Sequence, residues 1–151
     1  MAEYRRPSPE TAPCHAKAAG LYMICTLSKH AAESKGYADA LMLDWRGRVA
    51  EATGANVFFV DNNVLHTPEP DCFLDGITRR TVIELARARG LEIVERAIMP
   101  DEMKNFSECF ITGTAAEVTP VSEIGPYKFT PGDISINLLN DYLALVGGQS
   151  A

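Results

Sequence analysis

The 151-residue sequence has few basic residues and no long apolar run, and each shortage excludes a class of protein. Lys and Arg number 14 against 20 Asp and Glu, whereas proteins that bind a nucleic-acid backbone carry clustered basic residues. No apolar run approaches the roughly 20 residues of a membrane span, and the opening MAEYRRPSPE has no apolar core of a secretory leader. We therefore expect a cytoplasmic protein with neither a nucleic-acid nor a membrane partner.

The sequence also lacks paired cysteines, which argues against a zinc site. The four cysteines are spread along the chain without a C-x-x-C pair: Cys14, Cys25, Cys72 and Cys109. We expect reduced thiols that pack in the interior, although the role of Cys14, three residues before Lys17, stays open. The three histidines, His15, His30 and His66, have no ligand spacing, so a metal hydrolase is disfavoured and no metal is expected.

Length and proline content divide the chain into an arm, one domain and a tail. At 46% hydrophobic and 23% charged residues, the composition is typical of a single globular domain with a real core. Residues 1–13 contain three prolines and predict an extended arm or interdomain linker. We expect residues 14–146 to form the domain and 147–151 a tail, and we expect a further domain before the arm in the parent protein.

Hydrophobic periodicity predicts an α+β domain with three helices. The first helix, over residues 18–34, places Leu21, Ile24, Cys25, Leu27 and Ala31 inward, and Gly36 stops it. Residues 48–67 predict a β-meander with a hairpin at Asn62 and Asn63. A second helix over 77–90 places Ile77, Val82, Ile83, Leu85 and Ala86 inward and ends at Gly90, further strands follow, and a third helix covers 130–146.

Lys17 is the first candidate for chemistry, within the stretch APCHAKAAGLY. Its neighbours are small residues beside an apolar helix, and such surroundings would partly desolvate the amine. Desolvation lowers the pKa of a lysine and makes it a better nucleophile for Schiff-base formation. The alternative is an ordinary solvated lysine near a helix start.

Glu51, in EATGANVF, is the second candidate. Charged residues seldom occupy strands unless they face water or a partner. A carboxylate at this point could keep a pyridine nitrogen protonated, although this segment taken alone favours a solvent-facing glutamate at a strand end.

Two small-residue turns could each hold an anion on backbone N–H groups. In LDGITRRT, Gly76 allows a tight turn and Ile77 and Thr78 open a helix, whose first N–H groups are unpaired. In TGTAAEVTP, the loop from Gly113 carries no bulky side chain. A nucleophilic lysine, an acceptor carboxylate and two phosphate-sized nests together match the requirements of pyridoxal phosphate.

The chain resembles the large domain of fold type IV pyridoxal-phosphate enzymes, and among them the branched-chain amino acid aminotransferases. Four motifs carry the resemblance from about Arg6 to Val146: AKAAGLY, ALMLDWRGRVAEATGANVFFV, LHTPEPDCFLDGITRRTVIELA and CFITGTAAEVTPV. The resemblance implies an antiparallel-rich sheet or pseudo-barrel flanked by helices. It also implies ping-pong transfer of an amino group from Leu, Ile or Val to 2-oxoglutarate, in a homodimer or higher homo-oligomer.

The resemblance further implies a role for each site residue. Lys17 would bind the cofactor covalently and act as the base for the substrate α-proton. Tyr22 would contact the cofactor O3′, Glu51 would pair with the pyridine nitrogen, and Leu74 would pack against the ring. Ile77, Thr78 and Thr114 would hold the phosphate. Gly76 and Gly113 would also belong to the cofactor-binding site. Thr114 and Ala115 would also offer backbone N–H groups to a substrate carboxylate.

Two departures from the family pattern stand out. Ala55 replaces an acidic residue in the stretch EATGAN, which leaves Glu51 intact and changes local packing only. The family's N-terminal small domain, which supplies an arginine to the phosphate and part of the substrate pocket, has no counterpart in residues 1–13. We therefore expect the chain by itself to turn over poorly, because a substrate must be held from both sides to react.

Three alternatives remain at this point. The chain could come from a D-amino acid aminotransferase or an aminodeoxychorismate lyase, which share the lysine, the glutamate and the phosphate nest. It could also be an inert folded scaffold or interaction fragment that holds no cofactor and self-associates through an exposed apolar patch.

Overall fold

The computed structural model describes residues 1–147, which form an α+β domain. The chain also contains two short 3₁₀ turns, at Ala19–Leu21 and Pro100–Asn105. The strands and α-helices follow in this order: β1 (Arg5–Arg6), α1 (Met23–Glu33), β2 (Leu41–Asp44), β3 (Val49–Ala52), β4 (Asn56–Asp61), β5 (Val64–Pro68), α2 (Ile77–Ala88), β6 (Glu92–Arg96), β7 (Glu108–Gly113), β8 (Glu117–Pro120), β9 (Glu123–Ile124), β10 (Tyr127–Lys128) and α3 (Asp133–Gly147).

The strands build one five-stranded sheet, one three-stranded sheet and one short hairpin. The five-stranded sheet has the order β6-β5-β4-β7-β8 and is antiparallel except between β5 and β6. The three-stranded sheet has the order β1-β2-β3, with β1 parallel to β2. The α+β class is confirmed, and within residues 1–147 the sheets do not close into a barrel.

Strand β4 is the centre of the core because both of its faces are buried. The four central residues of its sequence NVFFVD form a continuous apolar run, as expected of a strand covered on two sides. Phe58 and Val60 face α2 and α3, where Phe58 stacks on Phe110 with ring centroids 5.0 Å apart. Val57 and Phe59 face the opposite cluster, which includes Phe106 and Phe129. This double packing fixes the strand that leads into the candidate site.

Helix α3 is fixed at its start by a carboxylate from the central sheet. Glu108 on β7 is buried, and its Oε2 accepts the N–H groups of Gly132 and Ser135, each at 3.0 Å. A negative charge at a helix N-terminus is favourable because the unpaired N–H groups point toward it. A Cβ at Gly132 would lie 2.5 Å from Glu108 Oε1, so any larger residue here would displace the carboxylate from the helix start.

Several expected turns and ends are confirmed. Asn62 and Asn63 have φ values of 47° and 66°, as a two-residue hairpin turn requires. Gly36 and Gly90 have φ values of +85° and +74° just after α1 and α2. The third helix begins at Asp133 rather than at 130 and reaches Gly147, and residues 148–151 of the expected tail lie outside the described residues.

The predicted inward faces are partly wrong. On α1, Leu27 and Ala31 are exposed, and the buried positions are Cys25 and Ser28. The periodicity is helical, but α1 contacts the domain through a narrow stripe beside the candidate site. On α2, Val82, Ile83 and Ala86 are buried, while Ile77 is 76% exposed because the first turn of the helix lies at the mouth of a cavity.

The N-terminal arm lies against the domain. Arg5 and Arg6 pair with Leu43 and Asp44, and the N–H of Ala2 donates to the carbonyl of Leu41. The strand alternation leaves Arg5 exposed and buries Arg6. That the arm joins two domains of a parent protein stays a prediction.

All four cysteines are free and buried, which confirms their expected packing roles. Cys14 and Cys72 lie in a small cluster with Ala50 and Phe73, and Cys109 lies in the cluster around Phe59. Burial raises the pKa of the Cys14 thiol, so this cysteine lacks the thiolate character of a reactive site. No helix within residues 1–147 has the length and apolar character needed to cross a membrane.

Candidate active site

A cavity of about 230 Å³ lies where β3, β4, β7 and the first turn of α2 meet. It is smaller than the pockets of about 300–1,000 Å³ that hold drug-sized ligands, which suits a compact ligand. Residues from four separate segments of the sequence, all nine predicted to bind the cofactor, line it: Lys17, Tyr22, Glu51, Leu74, Gly76, Ile77, Thr78, Gly113 and Thr114. The fold therefore brings these segments to one place.

Lys17 lines the cavity from a loop between Pro13 and the first 3₁₀ turn, and its side chain is exposed. The expected desolvation of this lysine is wrong for the chain described here. The neighbouring Ala16, Ala19 and Gly20 are also exposed, so the small residues leave the amine open to solvent instead of covering it. The consequence is an accessible amine at the cavity wall.

Tyr22 follows the 3₁₀ turn and is half-buried in the same wall. Burial raises the pKa of its phenol, and the nearby Glu51 carboxylate raises it further. The phenol therefore keeps its proton and can act as a hydrogen-bond donor. Leu21 and Cys25 complete the wall on this side.

Glu51 is a buried acid on β3, with only 9% of its surface exposed. This finding decides against a solvent-facing glutamate at a strand end. Burial raises the pKa of the carboxyl to about 8, and the Arg6 guanidinium opposes that rise. Because the cation does not fully offset the burial, the site would be stabilised by a second positive group beside the carboxylate.

Arg6 is a site residue that sequence reasoning did not identify. Its Nε lies 3.3 Å from Glu51 Oε1, close enough for an ion pair but without hydrogen-bond alignment within the described residues. Its Nη1 donates to the carbonyl of Leu21 at 3.1 Å and to Cys25 Sγ at 3.3 Å. The arginine thus links β1, Glu51 and the turn after Lys17. In the sequence it looks the same as the exposed Arg5 beside it.

The first turn of α2 forms another part of the wall. The first N–H groups of a helix have no intrahelical partner. Gly76 is the N-cap residue and has no side chain that could cap them. Thr78 is buried there, and Ile77 and Leu74 line the cavity beside it. Unpaired N–H groups at a helix start favour an anion.

The end of β7 completes the cavity with small and hydroxyl-bearing residues. Thr112 is 1% exposed, and its Oγ1 has no hydrogen-bond partner among residues 1–147. A Cβ at Gly113 would lie 3.2 Å from the Gly54 carbonyl oxygen, so glycine allows the end of β7 to approach the turn between β3 and β4 closely. Thr114 lines the cavity, whereas Ala115 is exposed and is not part of its wall.

Asn56 is a further wall residue that sequence reasoning did not identify. An asparagine inside an apolar strand is unfavourable and could have been recognised as a signal. Its side chain is 5% exposed and bonds to the segment before α2.

The histidines are not brought together as a metal site. His15 and His30 are exposed, and His66 Nδ1 accepts a hydrogen bond from Arg96 Nε at 3.3 Å. Within residues 1–147, the one group of possible ligands comprises Asp44, Asp71 and Cys72. The Arg46 guanidinium pairs with both aspartates there, so these carboxylates already have a cation.

Comparisons with known proteins agree on one family. The chain matches the model of amino-transferase class IV over residues 2–124. It is 44% identical to the probable branched-chain-amino-acid aminotransferase of Rickettsia bellii, over 98% of this chain and 53% of that protein.

Comparison with solved structures indicates the same family. The branched-chain aminotransferase of Thermoproteus uzoniensis with norvaline superposes with a TM-score of 0.95 at 36% identity, over 99% of this chain and 51% of that one. The T.th. branched-chain amino acid aminotransferase complexed with N-(5'-phosphopyridoxyl)-L-glutamate gives 0.94 at 38% identity, over 98% and 51%. The chain spans about half the length of the relatives it matches.

Proposed function

The chain belongs to the class IV amino-transferases, and from this membership we propose that it is the cofactor-binding part of a pyridoxal-phosphate-dependent transaminase for branched-chain amino acids. One observation carries the proposal: four separate sequence segments bring an amine, a buried acid and an uncapped helix start to a single small cavity. Packing alone gives no reason for that combination.

The residues of the cavity fit pyridoxal phosphate. The unpartnered Thr112 hydroxyl and the uncapped start of α2 are free hydrogen-bonding groups. Beside them, Gly76 and Gly113 have no side chain that would block access of a ligand to the backbone. Buried Glu51 suits a protonated ring nitrogen, because a neighbouring cation favours its charged form.

Seven of the wall residues would have a direct part in holding the group. The N–H groups of Ile77 and Thr78, with the Thr78 hydroxyl, would bind the phosphate at the helix start. Gly113 and Thr114 would contribute a second set of donors. Glu51 would accept the hydrogen bond of the ring nitrogen, Tyr22 would donate to the phenolic oxygen, and Leu74 would cover one ring face.

When bound, pyridoxal phosphate supplies an electron sink that makes the α-proton of an amino acid removable. The exposed Lys17 amine would attach the cofactor, and its Nζ, once freed by the incoming amino group, would take the α-proton from Cα. The Arg6 guanidinium would keep the Glu51 carboxylate from turning away from the cavity, since both side chains are buried together.

The branched-chain substrate class follows from the relatives and not from the wall residues. The lysine, the acid and the helix start would serve a D-amino acid aminotransferase or an aminodeoxychorismate lyase equally well. The matched proteins named above are branched-chain aminotransferases, at 36–44% identity. The L-glutamate part of the compound in the T.th. structure supports 2-oxoglutarate as the amino-group acceptor.

The proposal also covers the rest of the parent protein. Met23 and Leu27 on α1 and Ile77 at the cavity mouth are 64%, 45% and 76% exposed. In a parent of twice this length, we propose that the other half covers these side chains and shields Lys17, with residues 14–146 as the cofactor domain and 1–13 as the connection. We further propose a cytoplasmic homodimer or higher homo-oligomer.

The first test is covalent capture. The purified chain is mixed with pyridoxal phosphate, its absorbance spectrum is recorded, and the sample is reduced with borohydride and mapped by peptide mass. We expect a discrete visible band and one phosphopyridoxyl adduct on Lys17. The Lys17→Met variant should lose both, whereas the matched Lys35→Met variant, at the exposed end of α1, should keep both.

Substrate class is tested on the loaded chain by a single half-reaction. With leucine, the visible band should convert to the band of pyridoxamine phosphate in one slow turnover, since the substrate is held from one side only. D-alanine serves as the control. Adducts spread over Lys29, Lys35, Lys104 and Lys128, without a discrete band, would contradict cofactor binding and favour the inert scaffold. Conversion by D-alanine and not by leucine would contradict the branched-chain assignment.

A further inference from the structure

Asn56, the first residue of β4, holds the segment that precedes α2. Its Nδ2 donates to the carbonyl of Leu74 at 2.8 Å, and its Oδ1 accepts the N–H of Gly76 at 3.2 Å. One buried carboxamide therefore binds both ends of the three-residue segment 74–76. This explains an asparagine at a strand position that favours apolar side chains.

Gly76 is glycine because of this contact and not because of its backbone conformation. Its φ of −63° and ψ of 146° are available to any residue. A Cβ there would lie far inside van der Waals contact with Asn56 Oδ1. The segment is thus pressed directly onto the carboxamide.

The position of Gly76 decides where the helix start points. Gly76 is the N-cap residue, so the N–H groups of Ile77 and Thr78 follow it directly into the cavity wall. Asn56 itself lies on the central strand, where it is paired with Thr112 of β7. Residues opposite each other in an antiparallel pair share a face, which puts the unpartnered Thr112 hydroxyl beside the same carboxamide.

We propose that Asn56 is a positioning residue that fixes the Leu74–Gly76 segment to the central sheet and so holds the N–H groups of Ile77 and Thr78 in an anion-binding arrangement. Asn56 acts through the helix start. The identification of that anion as the phosphate of pyridoxal phosphate rests on the proposed function.

The test separates the phosphate from the rest of the cofactor. Affinities for inorganic phosphate, pyridoxal phosphate and pyridoxal are measured on the wild-type chain and on Asn56→Ala, with Asn137→Ala, an exposed site on α3, as the control. We expect at least tenfold weaker binding of phosphate and of pyridoxal phosphate in Asn56→Ala. Adduct formation by pyridoxal at Lys17 should stay within twofold of wild type, because pyridoxal has no phosphate.

A second variant leaves the asparagine in place. Gly76→Ala should weaken phosphate binding at least tenfold, because its methyl group displaces the segment from the carboxamide. In an Asn56→Ala background, where the carboxamide is absent and leaves room for the methyl group, Gly76→Ala should weaken phosphate binding less than twofold. This non-additivity also keeps the proposal testable if Asn56→Ala folds poorly.

Three results would overturn the inference. These are unchanged phosphate affinity in both single variants, equal losses for pyridoxal and pyridoxal phosphate, and no phosphate binding by the wild-type chain. Loss of phosphate binding in Asn56→Ala without any Lys17 adduct in wild type would support the positioning role and contradict the proposed transaminase instead.

Discussion

Replacing Glu51 by glutamine should change how the stability of the chain depends on pH. Burial raises the pKa of Glu51 from 4.5 to about 8, so between these values the folded chain keeps a proton that the unfolded chain releases. The free energy of unfolding then falls as pH rises, by up to about 1.4 kcal/mol per pH unit. The full loss would approach about 5 kcal/mol by pH 8 and would not grow above it. Glutamine has nearly the same shape as glutamate but has no group that titrates in this pH range.

Thermal unfolding from pH 5 to pH 9 measures this difference. For a chain of this size, 1 kcal/mol corresponds to about 2–4 °C in Tm. We therefore expect the Tm of wild type to fall relative to Glu51→Gln by about 3–5 °C per pH unit between pH 5.5 and 7.5. Glu84→Gln, at an exposed position of α2, serves as the control and should follow wild type.

The same measurement has an internal check. Pyridoxal phosphate, if bound, places a protonated nitrogen beside the Glu51 carboxylate. It should therefore reduce the difference between wild type and Glu51→Gln in the slope of Tm against pH. Parallel Tm curves for wild type and Glu51→Gln over the whole pH range would contradict this prediction, because they would mean that the Arg6 pair keeps Glu51 ionised even at pH 5.

Three further predictions concern stability. Arg6→Met should lower the free energy of unfolding by about 2 kcal/mol at pH 6 and by more at pH 9, because at pH 9 it leaves an ionised Glu51 buried without a cation. Equal losses at the two pH values, measured by urea titration, would contradict the ion pair. Glu108→Ala should cost about 1–3 kcal/mol by removing the acceptor at the start of α3, and a loss below about 0.5 kcal/mol would show that water replaces it. Asn63→Gly should stabilise the hairpin by about 0.5 kcal/mol, since glycine adopts the positive φ more easily, and unchanged urea midpoints would count against this turn type.

The fold class and the segments that carry chemistry are predictable from the amino-acid sequence alone. The periods of the apolar residues gave three helices and groups of strands, and the glycine and asparagine positions marked turns that the structure contains. Lys17 and Glu51 are recognisable because a charged residue is unusual among their neighbours. Thr78 is recognisable because it opens a helix after Gly76, and Thr114 because it lies in a small-residue loop after a strand. Each such signal is local and depends only on neighbouring residues.

The tertiary structure decided which polar residues face the cavity and how they are held. Arg5 and Arg6 are equivalent in the sequence, and only the pairing of β1 with β2 buries one and exposes the other. The contact of Asn56 with Gly76 joins residues 20 positions apart, so no local pattern reveals it. Leu27 and Ile77 fit a helical stripe but face outward, because burial depends on what packs against a helix and periodicity does not specify that partner.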